Sequence, residues 1–456
     1  MTDTIAAVAT GLGQAGIGIV RISGPAAFSV ARAIFSPATG GPLSKEEARR
    51  ARLGWIIDGE RRIDQVLALP FAAPASYTGE DVVEFSGHGG PLVLDEILRA
   101  ALGAGARLAE PGEFSRRAFV NGKMDLAQAE AVMELIGARN EAARRSAALQ
   151  LAGAAAGRVA DLRARVLDLT AQIEAALDDP DNLEFEGGPE RAGREAAQIR
   201  AELERLLEHG AYGRKIAEGI PAAIIGKPNA GKSSLLNALL GEDRAIVTAV
   251  AGTTRDVLTE TLRVGDIHLN LMDTAGIRET EDEVEKIGVE RARAAAQGAS
   301  LLLFLADNAL PWEAEDDALW EITRERPHIL ILNKTDIAGA LTPEEVLSRT
   351  GEMPLPVSAK TGEGLDELRS RILDVVRDTR GAEGEEWFFT NLRQQQALRD
   401  AAESLKMAEE TAAGGLTEEL MTTDLMDAYE SLGRILGESV SDDLAEEIFA
   451  KFCMGK

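Results

Sequence analysis

Four short apolar runs between residues 220 and 332 constrain the fold of this chain more than any other feature of its sequence. They span residues 220–225, 267–272, 301–305 and 329–332. Three are nearly continuous, as expected for strands buried on both faces of a parallel sheet, and predicted helices separate them. The runs that end at Ile225, Met272 and Leu332 are each followed directly by a polar or Gly-rich motif. Because open α/β sheets bind ligands at the carboxyl ends of their strands, these motifs are predicted to form one site.

Five motifs in this region each meet a different chemical need of one nucleotide. In chain order they are GKPNAGKS at 226–233, GTTRD at 252–256, DTAG at 273–276, NKTD at 333–336 and SAK at 358–360. The first alone could be a Gly-rich turn without a ligand, but five in this order and spacing predict a guanine-nucleotide site. GTP and GDP are therefore the predicted ligands.

The first motif is predicted to hold the phosphates. Gly226 and Gly231 allow the loop to wrap around them, while backbone N–H groups point inward at the positive end of the following helix. Lys232 is predicted to reach the β- and γ-phosphates, and the Ser233 hydroxyl to ligate Mg²⁺. The phosphate-loop residues predicted to bind GTP are Asn229, Ala230, Gly231, Lys232, Ser233 and Ser234.

The second and third motifs are predicted to sense the γ-phosphate. Thr254 lies 22 residues after Lys232 and is placed to contact Mg²⁺ and the γ-phosphate. Asp273 would hold the metal through water, and the Gly276 N–H would meet the γ-phosphate. Hydrolysis removes these contacts, so both segments are expected to loosen afterwards. The residues of the third motif predicted to bind GTP are Asp273, Thr274, Ala275 and Gly276.

The last two motifs are predicted to select the base. The Asp336 carboxylate would accept two hydrogen bonds from guanine N1 and its exocyclic amine, whereas adenine lacks both donors. NKTD lies 60 residues after Asp273 and directly follows a predicted buried strand, which argues against a chance match. The predicted base-contacting residues are Asn333, Lys334, Thr335, Asp336, Ser358, Ala359 and Lys360.

The residue that follows Gly276 is Ile277, where many signalling GTPases have a glutamine that orients the attacking water. Isoleucine cannot orient water, so two interpretations are open. Either the domain hydrolyses GTP poorly, or another polar group supplies this function. The acidic segment at 279–285 offers candidates, but by itself it is read more simply as a solvated switch loop.

The length of 456 residues exceeds what one hydrophobic core normally organises, so two or three domains are expected. Residues 4–120 mix short strands, as at 18–22 and 65–69, with helices near 25–35 and 91–103, which predicts a small α/β domain. Ala, Leu, Glu and Arg at helical spacing follow from about 125 to 178 and from 189 to 218, and this pattern returns after about 380. The simplest architecture is a nucleotide-binding domain inserted into a helical domain. An independent helical tail is the alternative.

The net charge of −27 argues against broad nonspecific attachment to nucleic acid. Residues 1–123 carry 13 Lys and Arg against 13 Asp and Glu, so this segment tolerates an anionic ligand or RNA better than the acidic remainder does. No apolar run reaches membrane-spanning length, the first residues lack a secretion signal, and the single cysteine, Cys453, cannot form an internal disulfide. These features predict a cytoplasmic protein without membrane attachment.

With these motifs, the chain resembles the MnmE/TrmE family of tRNA modification GTPases over essentially its full length. The distinguishing sequences are TGEDVVE at 78–84, GHGG at 87–90, PGEFS at 111–115, NGKMDLAQAE at 121–130 and FCMGK at 452–456. The resemblance implies a multidomain α/β plus all-α fold. An N-terminal α/β tetrahydrofolate-binding and dimerisation domain would span 1–120, and a helical domain 121–217 and 380–456. The inserted Ras-like P-loop GTPase domain, with a mostly parallel sheet, would span 218–379.

The resemblance also implies a function. With the FAD-dependent partner MnmG, the family installs an aminomethyl or carboxymethylaminomethyl group at C5 of the wobble uridine, U34, in certain tRNAs. A tetrahydrofolate derivative, 5-formyl- or 5,10-methylene-tetrahydrofolate, supplies the one-carbon unit, and FAD enters only through the partner. The implied assembly is a homodimer that joins MnmG in a heterotetramer or larger complex. The alternative is a ribosome-assembly GTPase that times a step on rRNA, but the acidic balance counts against it.

Matching to the family implies a K⁺ site in place of an arginine finger. Asn229, Thr248, Val250 and Thr253 would supply K⁺ ligands, and Ser233 and Thr254 would supply Mg²⁺ ligands. The loop that completes the nucleotide site consists of Thr248, Ala249, Val250, Ala251, Gly252 and Thr253. Glu285 falls on the glutamate that orients the attacking water, which replaces the solvated-loop interpretation given above.

Matching likewise implies a folate site formed by Arg21, Glu84, Lys123 and Lys456. A folate has a glutamate tail that basic groups can pair and a pterin whose donors suit a carboxylate. Without the resemblance, Arg21 and Lys123 would be read as members of surface ion pairs. Cys453 has a possible thiol role in the one-carbon chemistry, and its simpler interpretation is a small buried residue.

Overall fold

A computed structural model describes residues 3–11, 13–179, 187–241, 260–272, 285–378, 387–414, 418–438, 442–452 and 455. The chain divides into two compact units. The first comprises residues 1–133, 150–200 and 396–456, and the second comprises residues 134–149 and 201–395. The predicted site residues at 248–254, 273–276, 453 and 456 lie outside the described residues.

The strands of the described ranges form two sheets. The seven-stranded sheet has the order β3-β4-β5-β6-β2-β1-β7 and the six-stranded sheet the order β13-β12-β11-β8-β10-β9. In chain order the strands are β1 Ile5–Val8, β2 Ala15–Ser23, β3 Phe35–Pro37, β4 Arg52–Asp58, β5 Arg61–Phe71, β6 Val82–Gly89, β7 Arg107–Leu108, β8 Ile220–Ile225, β9 Glu260–Val264, β10 Ile267–Leu271, β11 Leu301–Asp307, β12 His328–Asn333 and β13 Leu355–Pro356.

In the parts of the chain that the structure describes, α-helices lie between and after these strands, and a short 3₁₀ turn spans Lys45–Glu47. In chain order they are α1 Ala27–Ile34, α2 Pro91–Gly103, α3 Glu113–Val120, α4 Leu126–Gly137, α5 Glu141–Leu151, α6 Ala154–Asp178, α7 Gly188–Glu218, α8 Lys232–Leu240, α9 Glu285–Gly298, α10 Ala314–Thr323, α11 Pro343–Thr350, α12 Leu365–Asp378, α13 Leu392–Ala413, α14 Glu418–Leu436 and α15 Asp442–Ala450.

The seven-stranded sheet is antiparallel except where β1 pairs with β7. Its residues alternate between two faces, as along β5, where Val66 and Ala68 are buried while Gln65 and Leu67 are exposed. This period of two is typical of a sheet with one covered face. Helices α1 and α2 cover it and complete a core that includes Val20, Ile22, Val30, Val83, Phe85 and Ile97. The strands predicted at 18–22 and 65–69 and both predicted helices are confirmed.

Helices α6 and α14 pack against each other in the first unit. Their buried residues recur at alternating spacings of three and four, which is the pattern of a helix pair with interlocking side chains. On α6 these residues are Ala155, Val159, Leu162, Val166, Leu169 and Ile173, and on α14 they are Met421, Leu425, Ala428, Leu432 and Ile435. At one end, Arg163 Nη1 lies 2.7 Å from Glu438 Oε1.

The six-stranded sheet of the second unit is parallel except between β9 and β10. Every residue of β11 is buried, as are nearly all of β8 and β12. All four predicted strands are present, so the predicted multidomain α/β plus all-α fold with a mostly parallel second sheet is confirmed.

Candidate functional site

The phosphate loop connects β8 to α8. Gly226 passes so close to β11 that a Cβ at this position would collide with the carbonyl oxygen of Leu305. Asn229 and Gly231 have φ angles of 61° and 98°, in the region that glycine adopts freely and asparagine tolerates. Gly231 stands at the N-terminal end of α8, where the helix dipole favours anions. The backbone therefore has the shape and polarity of a phosphate cradle.

Lys232 is the first residue of α8 and turns back over this loop. Its Nζ donates to the carbonyl oxygens of Gly226 at 2.7 Å and Lys227 at 2.8 Å. Burial lowers the pKa of Lys232, and the charge of Glu315 acts in the opposite direction. An anionic phosphate beside the ammonium would favour its charged form. The predicted phosphate-binding role of Lys232 is compatible with this position.

Lys227 ties the phosphate loop to α10. Its buried ammonium lies 2.7 Å from Asp316 Oδ2 and 3.1 Å from Glu313 Oε2. Burial acts to lower the pKa of Lys227, but the hydrogen bonds with Asp316 and Glu313 outweigh it and raise the pKa. The two acids also form the capping box that begins α10. The sequence analysis did not predict this contact, although the acidic run at 313–317 could have indicated a partner for a buried lysine.

Asn333 joins three of the predicted motifs. Its Nδ2 donates to the Ala230 carbonyl at 2.9 Å, and its Oδ1 accepts from the Ala359 N–H at 3.1 Å. Lys334 adds a second link to the phosphate loop, because its Nζ donates to the Asn229 carbonyl at 2.8 Å. The first, fourth and fifth motifs thus meet at the carboxyl ends of the strands, as predicted.

Asp307 and Asn308 also support this arrangement, although sequence reasoning did not single them out. The buried Asp307 carboxylate lies 2.7 Å from Lys334 Nζ. Asn308 Nδ2 donates to the carbonyls of Lys334 at 3.2 Å and Ile337 at 2.9 Å. Both residues follow the apolar part of β11 directly. They therefore carry the same signal, a polar residue after a buried parallel strand, that located the other motifs.

The Asp336 carboxylate is held in place on one side. Its Oδ1 accepts from the buried Ser358 hydroxyl at 2.8 Å, and Lys360 Nζ lies 3.8 Å from its Oδ2. The neighbouring Thr335 is fixed through its backbone N–H, which donates to the Val357 carbonyl at 3.3 Å. An oriented carboxylate can accept a pair of parallel donors from a flat ligand edge, which is the task predicted for Asp336.

The remaining nucleotide-site predictions are only partly covered by the structure. Ser233 and Ser234 lie in the first turn of α8, and Glu285 is the first residue of α9. Thr248, Ala249, Val250, Ala251, Gly252, Thr253, Thr254, Asp273, Thr274, Ala275 and Gly276 fall outside the described residues. Their predicted contacts with nucleotide, Mg²⁺ and K⁺ therefore stay predictions.

Arg21 and Glu84 face each other in the seven-stranded sheet. They are register partners on β2 and β6, and Arg21 Nε lies 2.8 Å from Glu84 Oε1. Arg21 Nη1 also donates to the Gly455 carbonyl at 3.3 Å. The guanidinium carbon lies 5.2 Å from the centre of the Tyr77 ring and 5.4 Å from that of Phe114. The structure thus brings Arg21 and Glu84 together with one residue of the C-terminal motif.

Lys123 contacts a different segment, since its Nζ donates to the Pro74 carbonyl at 3.1 Å. Its side chain also passes close to Gly79, within the TGEDVVE motif. Cys453 and Lys456, the other two residues proposed for this region, lie outside the described residues.

A buried ionic network lies beside this pair. The fully buried Arg117 guanidinium is 2.9 Å from Asp3 Oδ1, 2.9 Å from Glu113 Oε1 and 3.2 Å from Glu80 Oε2. Glu80 also accepts from the Ser23 hydroxyl at 2.8 Å. Burial acts to lower the pKa of Arg117, but the bonds and charges of Glu113 and Glu80 outweigh it and raise the pKa. Sequence reasoning missed this network.

No helix within the described ranges has both the length and the apolar character needed to cross a membrane.

Two family models match the chain. One, described as the MnmE helical domain, matches residues 126–453, and the other, described as the GTP-binding protein TrmE N-terminus, matches residues 4–123.

Curated relatives match over the full chain. The tRNA modification GTPase MnmE of Lachnoclostridium phytofermentans is 44% identical over 456 residues, with 100% of both chains covered. The protein of the same name from Symbiobacterium thermophilum is 43% identical, with 100% of this chain and 99% of that protein covered. The one from Chloroflexus aurantiacus is 44% identical, with 100% of both chains covered. Among solved structures, the G domain of the T. maritima FeoB iron transporter is 26% identical and covers 34% of this chain and 98% of that chain. The TM-score of this match is 0.26.

Proposed function

The chain belongs to the MnmE (TrmE) family of tRNA modification GTPases, and on that premise we propose how it acts. It is a GTP hydrolase. K⁺-stimulated hydrolysis closes and opens paired GTPase domains of a homodimer in the cytoplasm. With the flavoprotein MnmG, this cycle is coupled to installation of the aminomethyl or carboxymethylaminomethyl group at U34 of certain tRNAs, with a tetrahydrofolate derivative as one-carbon donor. Matches to both MnmE-type family models favour this function over ribosome assembly.

The observation that carries the nucleotide part of the proposal is the link between the base-reading and phosphate-holding ends of the site. Asn333 bonds to Ala230 in the phosphate loop and to Ala359 in the SAK motif, while Ser358 orients Asp336. Guanine recognition and phosphate binding therefore share one hydrogen-bonded framework. When bound, Mg²⁺ would neutralise phosphate charge, and Ser233 is the described residue whose hydroxyl suits it.

Asn229 supports the proposed K⁺ site. Its positive φ of 61° and the bond from Lys334 Nζ to its carbonyl fix the backbone, while the residue itself is exposed. An amide oxygen is a suitable ligand for a hard monovalent cation. When bound, such a cation would offset the charge that develops during phosphoryl transfer, as an arginine finger does.

Potassium dependence is tested by measuring GTP hydrolysis in KCl and in NaCl at equal ionic strength. We expect the unmodified protein to be faster in KCl, and Asn229→Gly to lose this stimulation, with a fall on the order of 10²-fold. Glycine is chosen because it accepts the positive φ and removes only the side chain. Nucleotide affinity should remain, and Asn237→Ala, an exposed position on α8, serves as the matched control. Equal rates of the unmodified protein in both salts would contradict the mechanism.

Glu285 is proposed to orient the attacking water, a role that rests on the family resemblance. Glu285→Ala is expected to retain GTP affinity and to lose hydrolysis by about 10²–10⁴-fold in single-turnover assays. Glu290→Ala, five residues further along α9, is the control and should hydrolyse GTP normally. Normal turnover by Glu285→Ala would remove this assignment.

The folate proposal is supported by the Arg21, Glu84 and Gly455 constellation. A cationic guanidinium and a carboxylate on adjacent strands suit the acidic tail and the pterin donors of a folate. Calorimetry with 5-formyltetrahydrofolate should show binding that Arg21→Ala or Glu84→Ala weakens by about tenfold or more. Arg99→Ala removes an exposed arginine paired with Asp95 and should have no effect. If the unmodified protein does not bind the folate, the one-carbon role fails.

The proposed homodimer is supported by an apolar pair on the sheet face opposite α1 and α2. Leu53 on β4 and Leu67 on β5 are register partners, and each is 48% exposed. These adjacent leucines offer apolar area on an open sheet face for a second chain to cover. Analytical ultracentrifugation at micromolar protein that finds only monomers would contradict this proposal.

The coupling to tRNA is tested in cells. In a strain that lacks this protein, mass spectrometry of tRNA hydrolysates should show loss of the C5 modification of U34, restored by the unmodified gene. An unchanged U34 together with a ribosome-assembly defect would favour the alternative function.

A further inference from the structure

The PGEFS motif at 111–115 makes a close contact with the C-terminal segment, whose described residues here are 449–452 and 455. Gly112 has a φ of 67°. A Cβ at this position would collide with the carbonyl oxygen of Phe449 and would lie 2.9 Å from Phe452 Cβ. Only a residue without a side chain lets the two segments approach this closely.

The residues of the C-terminal segment that Gly112 approaches are buried and closely packed. Phe449 and Phe452 are 1% and 6% exposed, and their ring centroids lie 5.1 Å apart. The Phe452 N–H donates to the Phe449 carbonyl at 2.9 Å, which closes a tight turn after α15. Both rings belong to one apolar cluster with Leu126 and Ala129. The turn therefore has a defined position against α3 and α4.

Gly455 continues this segment to Arg21. Its φ is 86°, and a Cβ here would collide with the carbonyl oxygen of Val8 at the end of β1. The Gly455 carbonyl accepts from Arg21 Nη1 at 3.3 Å. The segment seated at Gly112 thus delivers a backbone acceptor to the arginine of the proposed folate site.

The same motif also supports Arg21 from the other side. The Phe114 ring lies 5.4 Å from the Arg21 guanidinium carbon, and the Ser115 hydroxyl lies 2.9 Å from the hydroxyl of Tyr77, whose ring also faces Arg21. Glu113 is buried and ion-paired, which fixes the motif itself. One five-residue motif therefore contacts both the C-terminal segment and Arg21, and sets their relative position.

We propose that residues 111–115 are the seat of the C-terminal segment and that Gly112 is a positioning residue for the folate site. Filling the space at Gly112 would displace Phe449 and Phe452 and withdraw the Gly455 carbonyl from Arg21. Only the expected change in folate affinity rests on the folate role proposed above. The seating itself is independent of that role and can be measured separately.

The first test compares Gly112→Ala with Gly59→Ala in the full-length protein. Gly59 has a φ of 61°, and nothing lies within 4 Å of a Cβ there, so both variants introduce similar backbone strain but only one introduces a collision. Hydrogen exchange of the amides in α15 and at Phe452 reports how often this packed turn opens. We expect these amides to exchange about tenfold faster in Gly112→Ala than in Gly59→Ala, because the turn opens more often. Equal exchange rates would overturn the proposal.

The second test approaches the contact from the other partner. Phe452→Ala leaves the backbone of Gly112 untouched and should also speed amide exchange in α15. The double variant should add little further, since both changes open one contact. Additive effects would overturn the proposed seat. Both single variants should weaken 5-formyltetrahydrofolate binding by about tenfold while GTP hydrolysis in KCl stays normal. If the unmodified protein binds no folate but the exchange rates change as expected, the folate role fails and the seat stands.

Discussion

Asp336→Asn is expected to lower the affinity for GTP by about 10³-fold and to raise the affinity for xanthosine triphosphate. The Asp336 carboxylate offers only acceptors, which suit the N1–H and amino donors of guanine. Asparagine replaces one acceptor oxygen with an NH₂ donor, which suits the C2 carbonyl of xanthine. Calorimetric titration of the same protein with GTP, xanthosine triphosphate and ATP measures the exchange of preference.

The expected gain of affinity for xanthosine triphosphate distinguishes this result from loss of folding, which would weaken the binding of every nucleotide. The matched control is Ser358→Ala, which removes the hydroxyl that holds Asp336 Oδ1 at 2.8 Å but keeps the carboxylate. This control should weaken GTP binding by about tenfold, as expected for loss of one bond to a charged group, without favouring xanthosine triphosphate. If Asp336→Asn binds all three nucleotides equally weakly, Asp336 does not read the base.

The position of this carboxylate follows from the sequence because the strands that deliver it are buried on both faces. The apolar runs at 220–225 and 329–332 became β8 and β12 with almost unchanged bounds. Parallel strands end at one edge of the sheet, so the motifs after them meet there. This argument needs only hydrophobic pattern and topology, and both are visible in the chain.

The contacts that support these motifs could not be predicted in the same way. Lys227 and Asp316 are far apart in the chain, and only the folded position of α10 shows that they pair. Asp307 followed a predicted strand, but an isolated acidic residue after a strand does not reveal that Lys334 is its partner. Sequence patterns identify which residues are polar at an edge, and the fold decides which of them meet.

Arg117 is the clearest case in the first unit. An arginine in a short helix is normally solvated, so nothing in the sequence indicates a fully buried guanidinium. Its three carboxylate partners lie on three separate segments, at Asp3, Glu80 and Glu113. Arg21 and Glu84, by comparison, were assigned to one site by family resemblance, and strand register explains why the two side chains pair.

Arg117→Met is expected to destabilise the seven-stranded sheet by about 3 kcal/mol, because the largely buried Glu80 loses its cation and the buried Glu113 keeps only Arg107. Hydrogen exchange of the full-length protein at neutral pH measures this as faster exchange in peptides from β1 and α3. Peptides from β8 serve as an internal reference, and Arg99→Met, which changes an exposed arginine, is the control variant. Exchange in β1 and α3 that matches the control would show that the network contributes little to stability.

The stability difference between Arg117→Met and the unmodified protein should depend on pH if the network stabilises the fold electrostatically. Hydrogen bonding to Arg107 lowers the pKa of Asp3. Burial acts to raise the pKa of Glu113, but bonds from Arg107, the Glu110 N–H and Arg117 outweigh it and lower the pKa. A carboxyl whose pKa is lower in the folded than in the unfolded chain stabilises the fold above its unfolded pKa, near pH 4, and loses this contribution as the pH falls through its folded value.

Because Arg117→Met removes part of the lowering of these carboxyl pKa values, the stability of this variant should fall less on acidification. The difference between the two proteins is therefore expected to shrink below about pH 4, and a difference that stays constant with pH would point to lost packing instead.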